Sequence, residues 1–135
     1  MNKLVVSLFI LFVLAACSNG SSASIQGQWK LTSYSFDSSQ MPAAPGVETS
    51  IEFDSDGRMS GNVGCNGFGG DYIVNGDTIT FKSVMATLMF CEGPVGEQEL
   101  GTLTVLKDSA KFVLDGNKMI ITSADRNSVI VLERK

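Results

Sequence analysis

Hydrophobic and polar residues alternate along most of this chain, in the period-two pattern of β-strands with one buried face. The alternation predicts strands at residues 28–35, 48–54, 58–63, 70–74, 77–83, 111–114, 118–123 and 128–134. Turn residues typical of β-hairpins separate three pairs of them: Ser55-Asp56-Gly57, Asn75-Gly76 and Asp115-Gly116-Asn117. The last strand is apolar on both faces, so we expect it to be a central strand.

One segment, residues 94–109, departs from this alternation and is predicted to be an amphipathic helix. Its leucines recur at steps of three: Leu100, Leu103 and Leu106. Pro94 suits a first helical turn, and we interpret Glu97 and Glu99 as solvated residues near the positive end of the helix.

The elements together predict an α+β fold. About eight antiparallel strands would form a strongly curved sheet or a small β-barrel, with the one helix packed on it. Residues 36–46 contain Pro42 and Pro45 and are predicted to be a loop.

The N-terminus has the pattern of an export signal. An 11-residue apolar run, Leu4 to Leu14, follows Lys3 and is too short to span a bilayer, which takes about 20 residues. Leu14-Ala15-Ala16-Cys17 then resembles a bacterial lipoprotein cleavage site, which implies a signal peptide at 1–16 and acylation, for example with palmitate, at Cys17. An ordinary signal peptide followed by a chance cysteine is the alternative.

The residues after Cys17 indicate the location and the organisation of the mature chain. Ser18, where inner-membrane lipoproteins of the enterobacterial type have Asp, favours the periplasmic face of the outer membrane. Residues 17–24 would be the lipidated cysteine and a flexible tether, because 18–24 are small and polar. Residues 25–135 are long enough for one domain.

Charge limits the partners of this mature chain. Loss of Lys3 leaves nine basic and 14 acidic residues, a net charge of −5. We therefore expect no nucleic-acid partner, since both molecules would be negative.

The two remaining cysteines, Cys65 and Cys91, are predicted to form a disulfide, because an exported chain is in an oxidising compartment. A catalytic or redox thiol is the alternative. It would lack a histidine base, since the chain has no His.

The missing histidine also excludes Ser-His-Asp triads and His-containing zinc sites. The glycine-rich stretch Gly61–Gly70 does not have the spacing of a dinucleotide fingerprint, and Gly70 stands where a phosphate-binding P-loop requires Lys. We expect no catalytic residue, no metal site and no cofactor.

Several motifs resemble the META domain, also called the HslJ-like family, over roughly residues 25–135. They are Gly27-Gln28-Trp29-Lys30-Leu31, Gly64-Cys65-Asn66, Gly70-Asp71-Tyr72, Gly76, Phe81 and Thr87-Leu88-Met89-Phe90-Cys91. Leu88 and Phe90 depart from the family pattern, which often has a basic and a small residue at these two positions.

The resemblance implies a structural corner at the glycine-rich stretch. Gly64 and 67–70 would allow positive φ or close backbone approach, and Asn66 would bond local backbone groups. The alternative is an exposed tip, Asn66 to Phe68, that contacts a partner. Gly64, Asn66, Phe68, Gly70 and Tyr72 are thus the candidate corner or contact residues.

The resemblance also implies a function without enzymatic activity. Members of this family are exported or membrane-tethered, some are associated with envelope stress or drug tolerance, and the fold is similar to lipoprotein pilots of secretins. We expect an outer-membrane lipoprotein that binds another envelope component and supports envelope integrity.

The sequence is also compatible with two other functions. One is a carrier or sensor of a small apolar ligand, with a cavity lined by Phe81, Met85, Met89, Leu100 and Leu103. The other is an inhibitor of a hydrolase, acting through the 36–46 loop.

Overall fold

The computed structural model describes residues 24–135. The predicted signal peptide, Cys17 and nearly all of the tether lie outside these residues. The described chain folds into nine strands and one helix: β1 Gly27–Phe36, β2 Ser39–Pro42, β3 Ser50–Phe53, β4 Arg58–Asn62, β5 Gly67–Asn75, β6 Thr78–Ala86, α1 Gly93–Val105, β7 Ser109–Asp115, β8 Lys118–Ser123 and β9 Val129–Arg134.

The strands form a closed antiparallel barrel, which confirms the predicted α+β fold. Strands β3 to β9 pair in sequence order, and β1 pairs with both β3 and β9. The predicted central position of the last strand is confirmed, because β9 lies between β8 and β1. Strand β2 is a ninth strand which, within the described chain, pairs with the second half of β1 alone.

Alternating side chains fill the interior of the barrel, as the period-two pattern predicts. The largest fully buried side chains are Trp29, Tyr34, Ile51, Phe53, Ile79, Leu106, Met119, Ile121, Ile130 and Leu132. Their contact with one another makes a single hydrophobic core.

The three predicted hairpins are present as β3–β4, β5–β6 and β7–β8. Each turn has a glycine with positive φ: 81° at Gly57, 61° at Gly76 and 56° at Gly116. Tight hairpin turns require such angles, and glycine adopts them without steric cost.

The prediction that residues 36–46 are a loop is wrong in part, because Ser39–Pro42 forms β2. Asp37 and Ser38 both have positive φ, 48° and 62°, so they make a two-residue turn that folds β2 back on β1. Pro42 is compatible with this strand because β2 lies at an edge of the sheet.

The predicted helix is confirmed, but it ends at Val105 rather than at Ser109, where β7 begins. It contacts β1, β8 and β9. The predicted leucine face is buried only in part: Leu100 has an exposed fraction of 61%, whereas Leu103 packs against the core and Leu106, just after the helix, is fully buried. The buried helical residues are Gln98, Glu99, Gly101, Thr102 and Val105.

Candidate docking loop and the corner that supports it

The glycine-rich corner between β4 and β5 is covalently joined to the segment that precedes α1. Cys65 and Cys91 form a disulfide with their Cα atoms 5.8 Å apart, which confirms the predicted pairing. Residues 87–92, which connect β6 to α1, are called the apolar loop below. The disulfide ties this loop to the corner.

A buried carboxylate, Glu99 of α1, holds the main chain of the corner. Its Oε2 accepts hydrogen bonds from the N–H groups of Cys65, at 2.8 Å, and Asn66, at 2.7 Å. Glu99 is 8% exposed, so its interpretation as a solvated residue at the start of the helix is wrong. These charge-assisted bonds fix the corner against the helix.

Asn66 connects this carboxylate to the apolar loop. Its Nδ2 donates to Glu99 Oε1 at 2.6 Å and to the carbonyl of Met89 at 3.0 Å. Its Oδ1 accepts from Thr87 Oγ1 at 2.8 Å and from the Met89 N–H at 2.7 Å. Asn66 is 4% exposed. Its side chain makes the hydrogen bonds to the loop main chain that a neighbouring strand would otherwise make.

Gly64 and Gly70 serve close approach rather than positive φ, since no glycine among residues 61–70 has a positive φ. A Cβ at Gly64 would lie 2.7 Å from Glu99 Oε2, and one at Gly70 would lie 2.9 Å from the carbonyl of Lys82. Real Cβ atoms do not approach other atoms so closely. The corner can therefore pack on α1 only without a side chain at position 64.

Phe68 and Tyr72 lie inside the barrel, with exposed fractions of 6% and 7%. The Tyr72 hydroxyl donates to the carbonyl of Asp54 at 2.5 Å, and its ring meets Phe53 edge-on at 5.1 Å between centroids. Burial raises the pKa of Tyr72 above its usual value, and the Asp54 carboxylate adds to this shift. The residues from Asn66 to Phe68 thus do not form an exposed tip.

The exposed apolar surface lies in the apolar loop instead. Leu88 is 98% exposed, Phe90 87% and Met89 60%, and Met85 near the end of β6 is 76% exposed. Single exposed apolar residues are ordinary, but a run of three on a supported loop suggests an interaction site. The sequence signal for it is the run Leu88-Met89-Phe90 outside any predicted element.

The cavity expected for an apolar carrier does not form from the predicted residues. Met85, Met89 and Leu100 lie at the surface, whereas Phe81 is buried in the core and Leu103 packs against it. These five side chains therefore do not line a common internal space.

A shallow cavity of about 560 Å³ lies on the outer surface of the barrel and includes Glu52, Asp54, Arg58 and Asp71. Asp54 Oδ1 accepts the main-chain N–H groups of Asp56 and Arg58, each at 2.8 Å, so it supports the β3–β4 turn. Among residues 24–135, no group of three or more His, Cys, Asp or Glu is arranged to hold a metal ion.

The start of the described chain lies at the other end of the barrel. Ser24 and Ile25 line a surface cavity together with Gly76, in the turn that precedes β6. Arg134 holds this end, because its guanidinium donates to the carbonyls of Ser24 and Gln26 at 3.0 and 2.7 Å and stacks on Trp29. Strand β6 runs from this end to the apolar loop, a distance of about 26 Å for its nine residues.

The fold is that of a small β-barrel domain with one helix. Comparison of the sequence with known protein families identifies the family. The sequence profile of the META domain matches residues 23–135, so the chain belongs to the META domain family. No curated protein matches it. Within the described part of the chain, no helix has both the length and the apolar character needed to cross a bilayer.

Several solved structures are similar to this barrel. The NMR structure of a protein from Burkholderia xenovorans has 21% sequence identity and a TM-score of 0.65, and the match covers 82% of each chain. The crystal structure of a DUF4847 family protein from Bacteroides vulgatus has 14% identity and a TM-score of 0.56, over 82% of this chain and 93% of that one. At these identities the likeness concerns the fold alone.

Proposed function

We propose that this protein is a lipid-anchored lipoprotein on the periplasmic face of the outer membrane. In this role it has no enzymatic activity, binds another protein of the envelope through the apolar loop, and supports envelope integrity under stress. The observation that carries the proposal is the exposure of Leu88, Met89 and Phe90 on a loop that is fixed at both ends.

The contacts that hold the apolar loop in place favour a binding site over exposed apolar residues that have no binding role. The Cys65–Cys91 disulfide holds one end of the loop. The side-chain amide of Asn66 binds both the N–H and the carbonyl of Met89. A loop that is already ordered loses little conformational entropy when a partner binds, so its apolar area contributes more to affinity.

The position of the loop favours a protein partner over the anchoring bilayer. The proposed tether from Cys17 to Ser24 reaches about 23 Å when fully extended. It leaves from the end of the barrel opposite the loop, since β6 runs from the Gly76 turn beside Ser24 to the loop. A barrel that stands on its anchored end therefore presents the loop away from the membrane that carries Cys17.

Site-specific photo-crosslinking in intact cells tests this proposal. A photoreactive phenylalanine analogue would replace Leu88 in the full chain, and the matched control would place it at Val113, a 63% exposed apolar residue of β7. We expect one dominant envelope protein to be captured from position 88 and not from 113, with a lower yield in a Cys17→Ser background.

Two outcomes would contradict the proposal. Equal capture from both positions would mean that the contact is unspecific. The absence of a captured protein, together with a lipid or another small apolar molecule that co-purifies with the domain, would favour the carrier function instead.

A further inference from the structure

Strand β6 has an open edge next to the apolar loop. On one side β6 pairs with β5 along its length, from Asn75↔Thr78 to Phe68↔Ala86. On the other side, among residues 24–135, its pairing with β7 ends at Thr80↔Ser109. The last main-chain hydrogen bond on this side joins the Phe81 N–H to the carbonyl of Asp108 at 3.2 Å. The pairing ends there because the residues before Ser109 belong to α1 and to the turn that follows it.

A bulge directs β6 away from β7 beyond this point. Ser83 has a φ of 52°, and the register with β5 shifts between Gly69 and Asp71. A non-glycine residue at such an angle is strained, and bulges bend a strand. The second half of β6 therefore separates from β7, which leaves one side unpaired, while it stays paired with β5 on the other side.

The main-chain groups of Val84 and Ala86 point to this unpaired side. Thr87 donates its N–H to the carbonyl of Gly67 at 3.0 Å, and Met85 is opposite Gly69, so Thr87 and Met85 point toward β5. Successive residues of a strand point their N–H and C=O groups in opposite directions. Val84 and Ala86 thus offer donors and acceptors to another strand, which is how an exposed edge recruits a peptide.

We propose that this edge accepts an extended segment of the partner protein as an added strand, while Leu88 and Phe90 of the apolar loop contact its side chains. This inference rests on the proposed function, because it specifies how the apolar loop binds its partner. The partner segment would be an extended strand of roughly four to six residues, an ordinary strand length in sheets. Its apolar side chains would lie at alternate positions.

The other open edge of the sheet is a weaker candidate. Strand β2 has only four residues, Ser39–Pro42, and Pro42 has no N–H to donate. Prolines and short length are the means by which proteins protect an edge from pairing.

The test combines the probe at Leu88 with a proline that blocks the edge. Ala86→Pro removes an N–H that points away from β5 and leaves the β5–β6 bonds in place. The matched control is Gln40→Pro on the edge of β2. We expect the crosslinking yield in intact cells to fall about tenfold with Ala86→Pro and to stay within about twofold with Gln40→Pro, since only the first change removes a bond to the docked strand.

The outcomes separate this inference from the proposed function. If position 88 still captures the partner at full yield in Ala86→Pro, the added strand is wrong and the apolar loop remains the docking site. If position 88 captures nothing in the unaltered protein, the proposed function fails, and the inference fails with it. Capture of a second copy of this chain also overturns the inference.

A second measurement applies even if Ala86→Pro does not fold. Amide hydrogen exchange would be measured by mass spectrometry on the purified crosslinked complex and on the free protein. We expect the peptide containing Val84 and Ala86 to exchange about tenfold more slowly in the complex, and the peptide containing Ser39–Pro42 to be unchanged. Unchanged exchange at Val84 and Ala86 would overturn the inference.

Discussion

The side-chain amide of Asn66 pairs with the main chain of Met89 in both directions: Nδ2 donates to the carbonyl at 3.0 Å, and Oδ1 accepts from the N–H at 2.7 Å. Glu99 fixes the orientation of this amide, because its carboxylate Oε1 accepts from Nδ2 at 2.6 Å. The apolar loop is thus held by a side chain that is itself held by the helix. This arrangement allows Leu88 and Phe90 to stay exposed without making the loop disordered.

The close packing of Gly64 on α1 gives the first prediction. Gly64→Ala would place a methyl group 2.7 Å from Glu99 Oε2, so we expect it to reduce the free energy of unfolding by about 2 kcal/mol. Gly67→Ala is the matched control, since its nearest heavy atom would be 3.9 Å away. Urea unfolding of both variants measures the difference, and equal stabilities would show that the corner does not depend on this contact.

The bonds of Glu99 give the second prediction. Glu99→Gln replaces one acceptor oxygen by an NH₂ group that faces N–H donors, so we expect a loss of about 2–3 kcal/mol in unfolding free energy. Glu97→Gln, two residues away on α1 and only half-buried, should cost less than about 0.5 kcal/mol. Comparable losses in the two variants would contradict the role given to Glu99.

The disulfide gives the third prediction. It closes a loop across a sequence separation of 26, for which chain entropy predicts a stabilisation of about 3.5 kcal/mol. We expect the double variant Cys65→Ala/Cys91→Ala and the reduced wild-type protein to lose similar amounts in chemical denaturation. A loss below about 1 kcal/mol in both would mean that the hydrogen bonds of Asn66 and Glu99 alone hold the corner.

The two tyrosines give a prediction for alkaline pH. Burial raises the pKa of Tyr34, and Glu97 adds to the shift; burial and Asp54 do the same for Tyr72. A raised pKa in the folded state favours the neutral hydroxyl, so this stabilisation is complete below about pH 10 and is lost as the pH rises through the folded pKa. We expect unfolding free energy to fall above about pH 10.

Phenylalanine variants identify the source of this pH dependence. Tyr72→Phe and Tyr34→Phe should each flatten the decline in stability above about pH 10, as measured by urea unfolding over a pH series. Tyr72→Phe should also lower the stability at neutral pH, because the bond to the Asp54 carbonyl is lost. An unchanged slope in both variants would contradict the prediction.

The sequence predicted the barrel well because its determinants are local. Alternation of buried and exposed residues defines each strand, and glycines at Gly57, Gly76 and Gly116 define the turns. The disulfide was also predictable, because the predicted acylation of Cys17 leaves Cys65 and Cys91 as the two cysteines that can pair.

The support of the apolar loop was not predictable, because it depends on contacts between distant residues. Glu99 looked like a solvated helical residue, yet it binds Asn66, 33 positions earlier in the chain. Similarly, Gln98 is buried because it donates to the carbonyl of Val63 and accepts from the N–H of Ala44. Hydrophobic periodicity therefore identified Leu103 and Leu106 as packed residues, but it could not show that the polar side chains of Gln98 and Glu99 are buried as well.

Amide hydrogen exchange at Met89 tests most directly whether the apolar loop is held in a fixed, exposed form. NMR would compare the Met89 amide with those of Leu88 and Phe90 in wild-type protein, in Asn66→Ala, and in Asn117→Ala as a control at an exposed turn. We expect Met89 to exchange at least about tenfold more slowly than its two neighbours in the wild type and in the control, and as fast as them in Asn66→Ala. Equal exchange of all three amides in the wild-type protein would show that the loop is not held.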